Sequence, residues 1–301
     1  MGDKSQSTVR EHYVPKVYLN GFSLDKERKK PRIYCFDSKH NFPKGEPIPI
    51  DSIAFKQYLY EFSRDKSSEH FNYIEKKLGE LEGQFATYRR KLIENVALNA
   101  DASYFPVSTD ELEFWRKFLV IQILRSPFRI KISDCCLKRF FGEFMTDEEI
   151  HANTLAIHLP FFEKKDPTII DFYEEYYRQV SNLYISVGVS SNKKFMTSDD
   201  PVFAIPEDTP PNQFIFICFP VTTSIILLLT KQSCTNAGNK IICQHLNDEM
   251  VVKINEKTVF NAWDAVYSQD PFTQDQSDKI SEIQQSDLKK EFDKLRRTHL
   301  K

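Results

Sequence analysis

An α+β fold follows from three features of the 301-residue sequence. From Phe71 to Leu92, apolar residues recur in steps of three and four, as on a helix face, and a second helical run follows Asp110. From about residue 183 to 246 the pattern changes to short β-branched and aromatic runs parted by turn residues, as in strands. Helices and strands are thus segregated along the chain, which predicts a mainly antiparallel sheet in the C-terminal half, packed on the helices at 71–98 and 110–132. The expected organisation is one α+β domain over residues 1–275, followed by a peripheral charged helical tail over 276–301.

Each element has a local reason. In "HYVPKVYLNGF", Val14, Val17, Tyr18 and Phe22 share one side of a short helix that Gly21 can end. "PRIYCFD" and "EPIPIDSIAF" read as strands around the turn-rich "SKHNFPKG", and "DKERKK" reads as a solvated loop. From Phe71 a long amphipathic helix carries Ile74, Leu78, Leu81, Phe85, Tyr88 and Leu92 on its apolar face. Asp110 is placed to cap the next helix, "ELEFWRKFLVIQILRSPFRIKI", which is apolar on most faces and should be central. Asp166 and Pro167 sit at the favoured cap and first-turn positions of a helix through "DPTIIDFYEEYYRQV". "NLYISVGVSS", "KKFMTSDDPVFAI", "QFIFICFPV", "SIILLLT" and "KIICQHL" supply the strands, and "DEMVVKINEKTVFNAWDAVYS" returns to helix.

Composition narrows the function classes. A net charge of −2 excludes a broadly cationic coat for duplex DNA, although a local basic groove is compatible with it. The N-terminal residues have no apolar leader, and the longest apolar run, Ile225 to Leu229, is too short to cross a bilayer. The six cysteines include no C-x-x-C pair and read as reduced thiols, so a cytoplasmic, non-membrane protein is expected. Adjacent Cys135 and Cys136 are expected to remain unbridged. Phosphate-loop, dinucleotide, H-E-x-x-H and G-x-S-x-G patterns are all missing.

Polar residues in apolar surroundings mark the candidate site. Gln122 and Arg125 share one face of the most apolar helix, and burying a guanidinium there demands partners. Asp199 of "TSDDP" is the expected carboxylate. Either it ties helix to sheet as a structural ion pair, or Arg125 binds an anionic group such as phosphate. His12, flanked by Tyr13, Val14 and Pro15, is the natural acid–base group if a site exists, and otherwise a hydrogen-bonded histidine at the core edge. His40, His70, His151, His158, His245 and His299 read as loop or helix-surface residues, and Glu75 as part of a solvated face. Thr197 and Ser198 can bond local backbone and fix the direction of Asp199, while the competing reading of "TSDDP" is a simple Asx-type turn.

These same residues resemble the bacterial family catalogued as domain of unknown function 4238, over roughly residues 10 to 270. The family's His-x-x-Pro-x-x-Tyr-Leu-x-x-Phe opening is matched by His12, Pro15, Tyr18, Leu19 and Phe22. Its Gln-x-x-Arg-Thr/Ser-Pro pattern is matched by Gln122, Arg125, Ser126 and Pro127, and its Thr-Ser-Asp-x-Pro signature by Thr197, Ser198, Asp199 and Pro201. A Pro-Leu/Val-Thr/Ser element resembles "FPVTTSIILLL", with Val221 in place of the more usual Leu, and a closing Asn-x-x-x-x-x-x-Ala helix resembles Asn255 to Ala262. The resemblance implies no settled activity. It does imply that His12, Gln122, Arg125, Asp199 and Asn255 belong together in one polar pocket.

Two functions fit that pocket. One is a hydrolase acting on a phosphodiester or nucleotide, a nuclease-like effector of bacterial conflict or phage defence, with a nucleotide or single-stranded nucleic acid as partner. His12 is then the acid–base group, Arg125 the phosphate clamp, and Asp199 either orients His12 or holds a divalent cation such as Mg or Mn. Gln122, Ser198, Asn255 and Tyr18 bind substrate. The other is a non-catalytic module that binds a ligand or partner in the same pocket.

Overall fold

The computed structural model describes residues 10–25, 29–61, 72–99, 102–162, 171–206, 214–231 and 239–298. Its N-terminal part runs β1 (Arg10–His12), α1 (Lys16–Leu19) with a 3-10 turn at Asn20–Phe22, β2 (Arg32–Asp37), β3 (Phe42–Pro43), β4 (Ile48–Pro49) and β5 (Phe55–Gln57). Next come α2 (Tyr73–Leu98), β6 (Tyr104–Pro106), α3 (Thr109–Leu124), α4 (Pro127–Phe141), α5 (Asp147–His158) and α6 (Phe172–Ser181). The strands β7 (Tyr184–Val189), β8 (Thr197–Ser198), β9 (Phe203–Pro206), β10 (Phe214–Pro220), β11 (Ile225–Thr230) and β12 (Lys240–His245) follow. α7 (Asp248–Asn261), β13 (Ala265–Ser268), α8 (Gln274–Gln285) and α9 (Asp287–Thr298) complete the chain. The class is α+β.

The main sheet has the order β6-β12-β7-β11-β10-β9. All its pairs are antiparallel except β12 with β7. β11 is buried along Ile225–Leu229, so this unbroken apolar run is a strand covered on both faces. Gly188 of β7 is required by packing, because a Cβ there would lie 2.6 Å from Leu246 Cδ1 and 2.8 Å from Ile226 Cγ2. A smaller sheet has the order β3-β2-β13-β8, with β4 also on β2, and among the described residues β1 pairs only with β5.

An aromatic cluster joins the helices to the main sheet. Phe85 of α2 stacks on Phe118 of α3 at 4.5 Å and meets Trp115 edge-on at 5.8 Å, while Tyr18 of α1 stacks on Phe219 of β10 at 4.9 Å. All five side chains are buried, and aromatic pairs in such offset and edge geometries hold layers together beyond the area they bury. Gly21 lets the α1 turn approach the sheet, since a Cβ there would sit 3.0 Å from the Val221 carbonyl oxygen.

Several elements differ from expectation, each for a backbone reason. The helix expected over 110–132 is two helices: Pro127 lacks an N–H and holds Ser126 at ψ 131°, so α3 stops at Leu124 and α4 starts anew. Ser108, not Asp110, caps α3, accepting the Glu111 N–H. "KKFMTSDDPVFAI" is not one strand, because β8 belongs to the small sheet and β9 to the main one, with the crossing at the Ser198–Asp200 turn. The helix expected over "DEMVVKINEKTVFNAWDAVYS" ends at Asn261 as α7, and Ala265–Ser268 joins β2 and β8 as β13. α5 is an added helix, closed by a capping box between Thr146 and Glu149.

The Asp166–Pro167 start, His70, His299, Cys234 and Phe71 lie outside the described residues, as does part of the "DKERKK" loop; α6 is capped by Asp171. The tail forms α8 and α9, and Ile280 of α8 is buried against Met196, Val259 and Val266. Among the described residues the cysteines, Cys135 and Cys136 included, are free thiols, and no helix is long and apolar enough to cross a membrane.

The aromatic cluster sets a stability test. Phe85→Ala should lower the unfolding free energy by about 3–5 kcal/mol, whereas Leu98→Ser, at a position 81% exposed, should change it by less than about 0.5 kcal/mol. Urea denaturation followed by circular dichroism measures both.

Candidate functional site

Arg125 ends α3 with its side chain 1% exposed, and every nitrogen of its guanidinium is used. Nε donates to the Tyr60 hydroxyl at 3.2 Å, Nη1 to Glu82 Oε1 at 3.2 Å, and Nη2 to the His12 carbonyl. The Tyr60 hydroxyl in turn donates to the Arg125 carbonyl at 3.1 Å. Burial works against the charge, yet Tyr60, Glu82 and Glu75 hold the group above the ordinary guanidinium range. One turn earlier on the same face, Gln122 Nε2 donates to the Tyr13 carbonyl at 2.9 Å. Two neighbouring helix positions therefore grip two consecutive carbonyls of the segment between β1 and α1.

Asp199 is not the partner of Arg125. Its Oδ1 accepts the Trp263 N–H at 2.8 Å and its Oδ2 the Asp264 N–H at 2.7 Å, so the carboxylate is turned toward the loop between α7 and β13. Burial pushes its pKa up to about 7 even though both N–H bonds pull it down. The preceding residue closes the turn, since Ser198 Oγ donates to the Asp200 carbonyl at 2.9 Å and accepts the Asp200 N–H at 3.2 Å. α7 pins the whole segment. Asn255 accepts the Met196 N–H at 2.9 Å and donates to the Lys194 carbonyl at 3.0 Å, and Asn261 donates to the Asp200 carbonyl at 2.7 Å.

The residues expected to bind substrate are thus mostly committed to the fold. Tyr18 is fully buried and bonded to Thr197 Oγ1 at 2.6 Å; Ser198 and Asn255 shape the "TSDDP" turn; Gln122 holds backbone. His12 packs its ring 5.7 Å from that of Phe55, and burial, with Lys16 nearby, lowers its pKa to about 4. Its Nε2 is buried with no partner among the described residues. A histidine that takes up a proton only near pH 4 is poorly placed for acid–base work at neutral pH. Two other histidines and Glu75 depart from the surface reading. His158 is buried, bonded to Ser133 Oγ at 2.8 Å and the Leu124 carbonyl at 2.9 Å, and half-buried His151 bonds Asp134 at 3.0 Å. Glu75 faces inward toward Arg125, with Oε2 buried and without a partner among the described residues.

What the three sequence patterns build together is a cavity of about 220 Å³. Asp199 and Ser126 lie in its wall beside Tyr13, Lys56, Lys131 and Asp264, and Phe128 and Trp263 form an aromatic side with ring centroids 4.0 Å apart. Ser126 is 4% exposed, and its side chain makes no cap bond to the first amides of α4. It precedes the first turn of α4, where Pro127 has no N–H and the next amides have no intrahelical acceptor, so the positive end of the helix dipole faces this space. Tyr13 is fixed at both backbone ends: its N–H donates at 3.0 Å to the carbonyl of Ala54, a residue in the left-handed region at φ 51°, and its carbonyl is held by Gln122. Tyr13 and Ser126 occupy positions inside the quoted motifs, but their role depends on chain crossings that spacing does not encode. Among the described residues no group of three His, Cys, Asp or Glu side chains is placed to hold a metal ion.

A family model described as "Protein of unknown function (DUF4238)" matches residues 10–272 of the chain. No curated protein and no solved structure matches it.

Two predictions follow from the clamps. Arg125→Ala should cost about 3–5 kcal/mol of stability, because it strands the buried His12 carbonyl and Tyr60 hydroxyl; chemical denaturation reads this. The pH test rests on Asp199 and on Glu11, a 1% exposed carboxylate that accepts the Tyr60 N–H at 2.6 Å and that burial also raises to about 7. Between the usual carboxylate value of about 4 and about 7, the folded protein binds more protons than the unfolded chain. Stability contributed by each group is therefore greatest at low pH and falls, by at most about 1.4 kcal/mol per pH unit, as pH rises through that window. Asp199→Asn should flatten its share of the slope in urea titrations at pH 5 to 8.

Proposed function

On the premise that the chain belongs to the DUF4238 family, we propose that the cavity between the α4 N-terminus and Asp199 binds a phosphate-bearing, nucleotide-like small molecule and hydrolyses its phosphate ester. One observation carries this reading: Ser126, whose side chain makes no cap bond at the N-terminus of α4, shares a cavity with a buried carboxylate raised to about 7. The helix N-terminus, Ser126, Lys56 and Lys131 supply donors and positive charge for a phosphate group. Phe128 and Trp263 supply an apolar face on which a planar base can stack. A volume near 220 Å³ suits a ligand no larger than a mononucleotide partly projecting into solvent.

Asp199 takes the acid–base part first read for His12, and the α4 terminus with its lysines takes the phosphate-binding part first read for Arg125. In its ionised form Asp199 accepts a proton from a water whose oxygen attacks phosphorus. The bond from phosphorus to the ester oxygen breaks, and that oxygen takes a proton from solvent. A nuclease-like role in phage defence extends the same proposal from a nucleotide to a strand end.

A second reading, ligand binding without turnover, is favoured by the fact that both Asp199 oxygens already accept backbone N–H groups. Calorimetry and phosphate-release assays with nucleoside monophosphates and a bis-nitrophenyl phosphodiester separate the two. Hydrolysis should rise with pH through about 7 and fall at least a hundredfold in Asp199→Asn. Binding with no phosphate or nitrophenol release would select the binding module, and no binding would reject both.

A further inference from the structure

The cavity wall contains one polar side chain whose backbone is held more firmly than its own packing requires. Tyr13 lines the cavity with Asp199 and Ser126, and no fold-holding bond uses its hydroxyl among the described residues. The chain nevertheless fixes this residue from three sides. The Ala54 carbonyl takes its N–H at 3.0 Å, Gln122 Nε2 donates to its carbonyl at 2.9 Å, and Arg125 Nη2 donates to the carbonyl just before it. Gln122 is 2% exposed and its Oε1 is buried with no partner among the described residues, where the one bond this amide makes is the one it donates to Tyr13. An apolar residue would fill the same space at lower cost unless the position of Tyr13 mattered.

We infer that the Tyr13 hydroxyl is the specificity-determining donor to the ligand's phosphate oxygen, and that Gln122 is a positioning residue acting through the Tyr13 carbonyl. The inference rests on the phosphate-site reading and deepens it. Burial and the Asp199 charge hold the phenol well above its ordinary range, so it remains a donor at every physiological pH. A neutral donor beside Asp199 also separates the carboxylate from the negative phosphate, which two facing anions would otherwise resist. Arg125 contributes to the same placement but also holds α2, so its variants report folding and Gln122 is the informative position.

The test uses the full chain, with adenosine 5′-monophosphate, inorganic phosphate and adenosine as probes in isothermal calorimetry. Tyr13→Phe should leave the melting temperature within about 2 °C and weaken monophosphate and phosphate binding about ten- to hundredfold, with adenosine affinity unchanged. Gln122→Met should weaken monophosphate binding as well, and the double variant should lose no more than the worse single variant, a non-additivity that a merely structural Gln122 would not produce. If Gln122→Met does not fold, the Tyr13→Phe comparison alone decides. Wild-type protein that binds neither phosphate compound overturns the site reading itself. Wild-type binding with unaltered affinity in Tyr13→Phe overturns only the role assigned to Tyr13.

Discussion

The structure depends on the satisfaction of one buried guanidinium. Arg125 sits at the point where Pro127 breaks a long apolar helix, in a place where an unpaired cation would cost several kcal/mol. Its partners come from three separate parts of the chain: Glu82 on α2, Tyr60 after β5 and the His12 carbonyl at the end of β1. Meeting that demand fixes the N-terminal segment against the helical layer. With Gln122 beside it, the same end of α3 sets where Tyr13 stands, and the helix break places Ser126 and the start of α4 opposite. The cavity is a consequence of the clamp.

The second wall has a parallel logic. "TSDDP" leaves the small sheet by a turn closed on Ser198 and is held by Asn255 and Asn261 of α7, while Asp199 receives two amides from the loop that follows α7. Among the described residues the Asp199 carboxylate accepts only backbone N–H groups, and its burial leaves it poised near pH 7. That combination ties a structural bracket to a titratable group facing a cavity.

Much of the fold was legible because it is periodic. The face of α2 carrying Leu78, Phe85 and Leu92, the continuous apolar run of β11 and the α+β segregation all follow from spacing. Boundaries failed where a single backbone property overrode the pattern, as at Pro127, or where tertiary pairing recruited a short segment, as β2 recruited Ala265–Ser268. The candidate site was legible as a set of motifs but not as a set of roles. Helix geometry placed Gln122 and Arg125 on one face, but nothing local distinguished Glu82 from Asp199 as the partner of Arg125. The choice depends on where α2 passes α3, which is decided by packing of Phe85 on Phe118. His12 contributes its carbonyl to the clamp, and a carbonyl is common to every residue type, so sequence cannot mark it. Tyr13 and Ser126 were hidden for a related reason: their neighbours in the motifs are more distinctive than they are.

A crystal structure of the protein grown with a nucleoside monophosphate tests the central claim most directly. The account predicts phosphate oxygens within hydrogen-bond distance of Ser126 Oγ and the first free amides of α4, with the base against Phe128 and Trp263. Saturating ligand that leaves this cavity empty and binds elsewhere on the chain would contradict it.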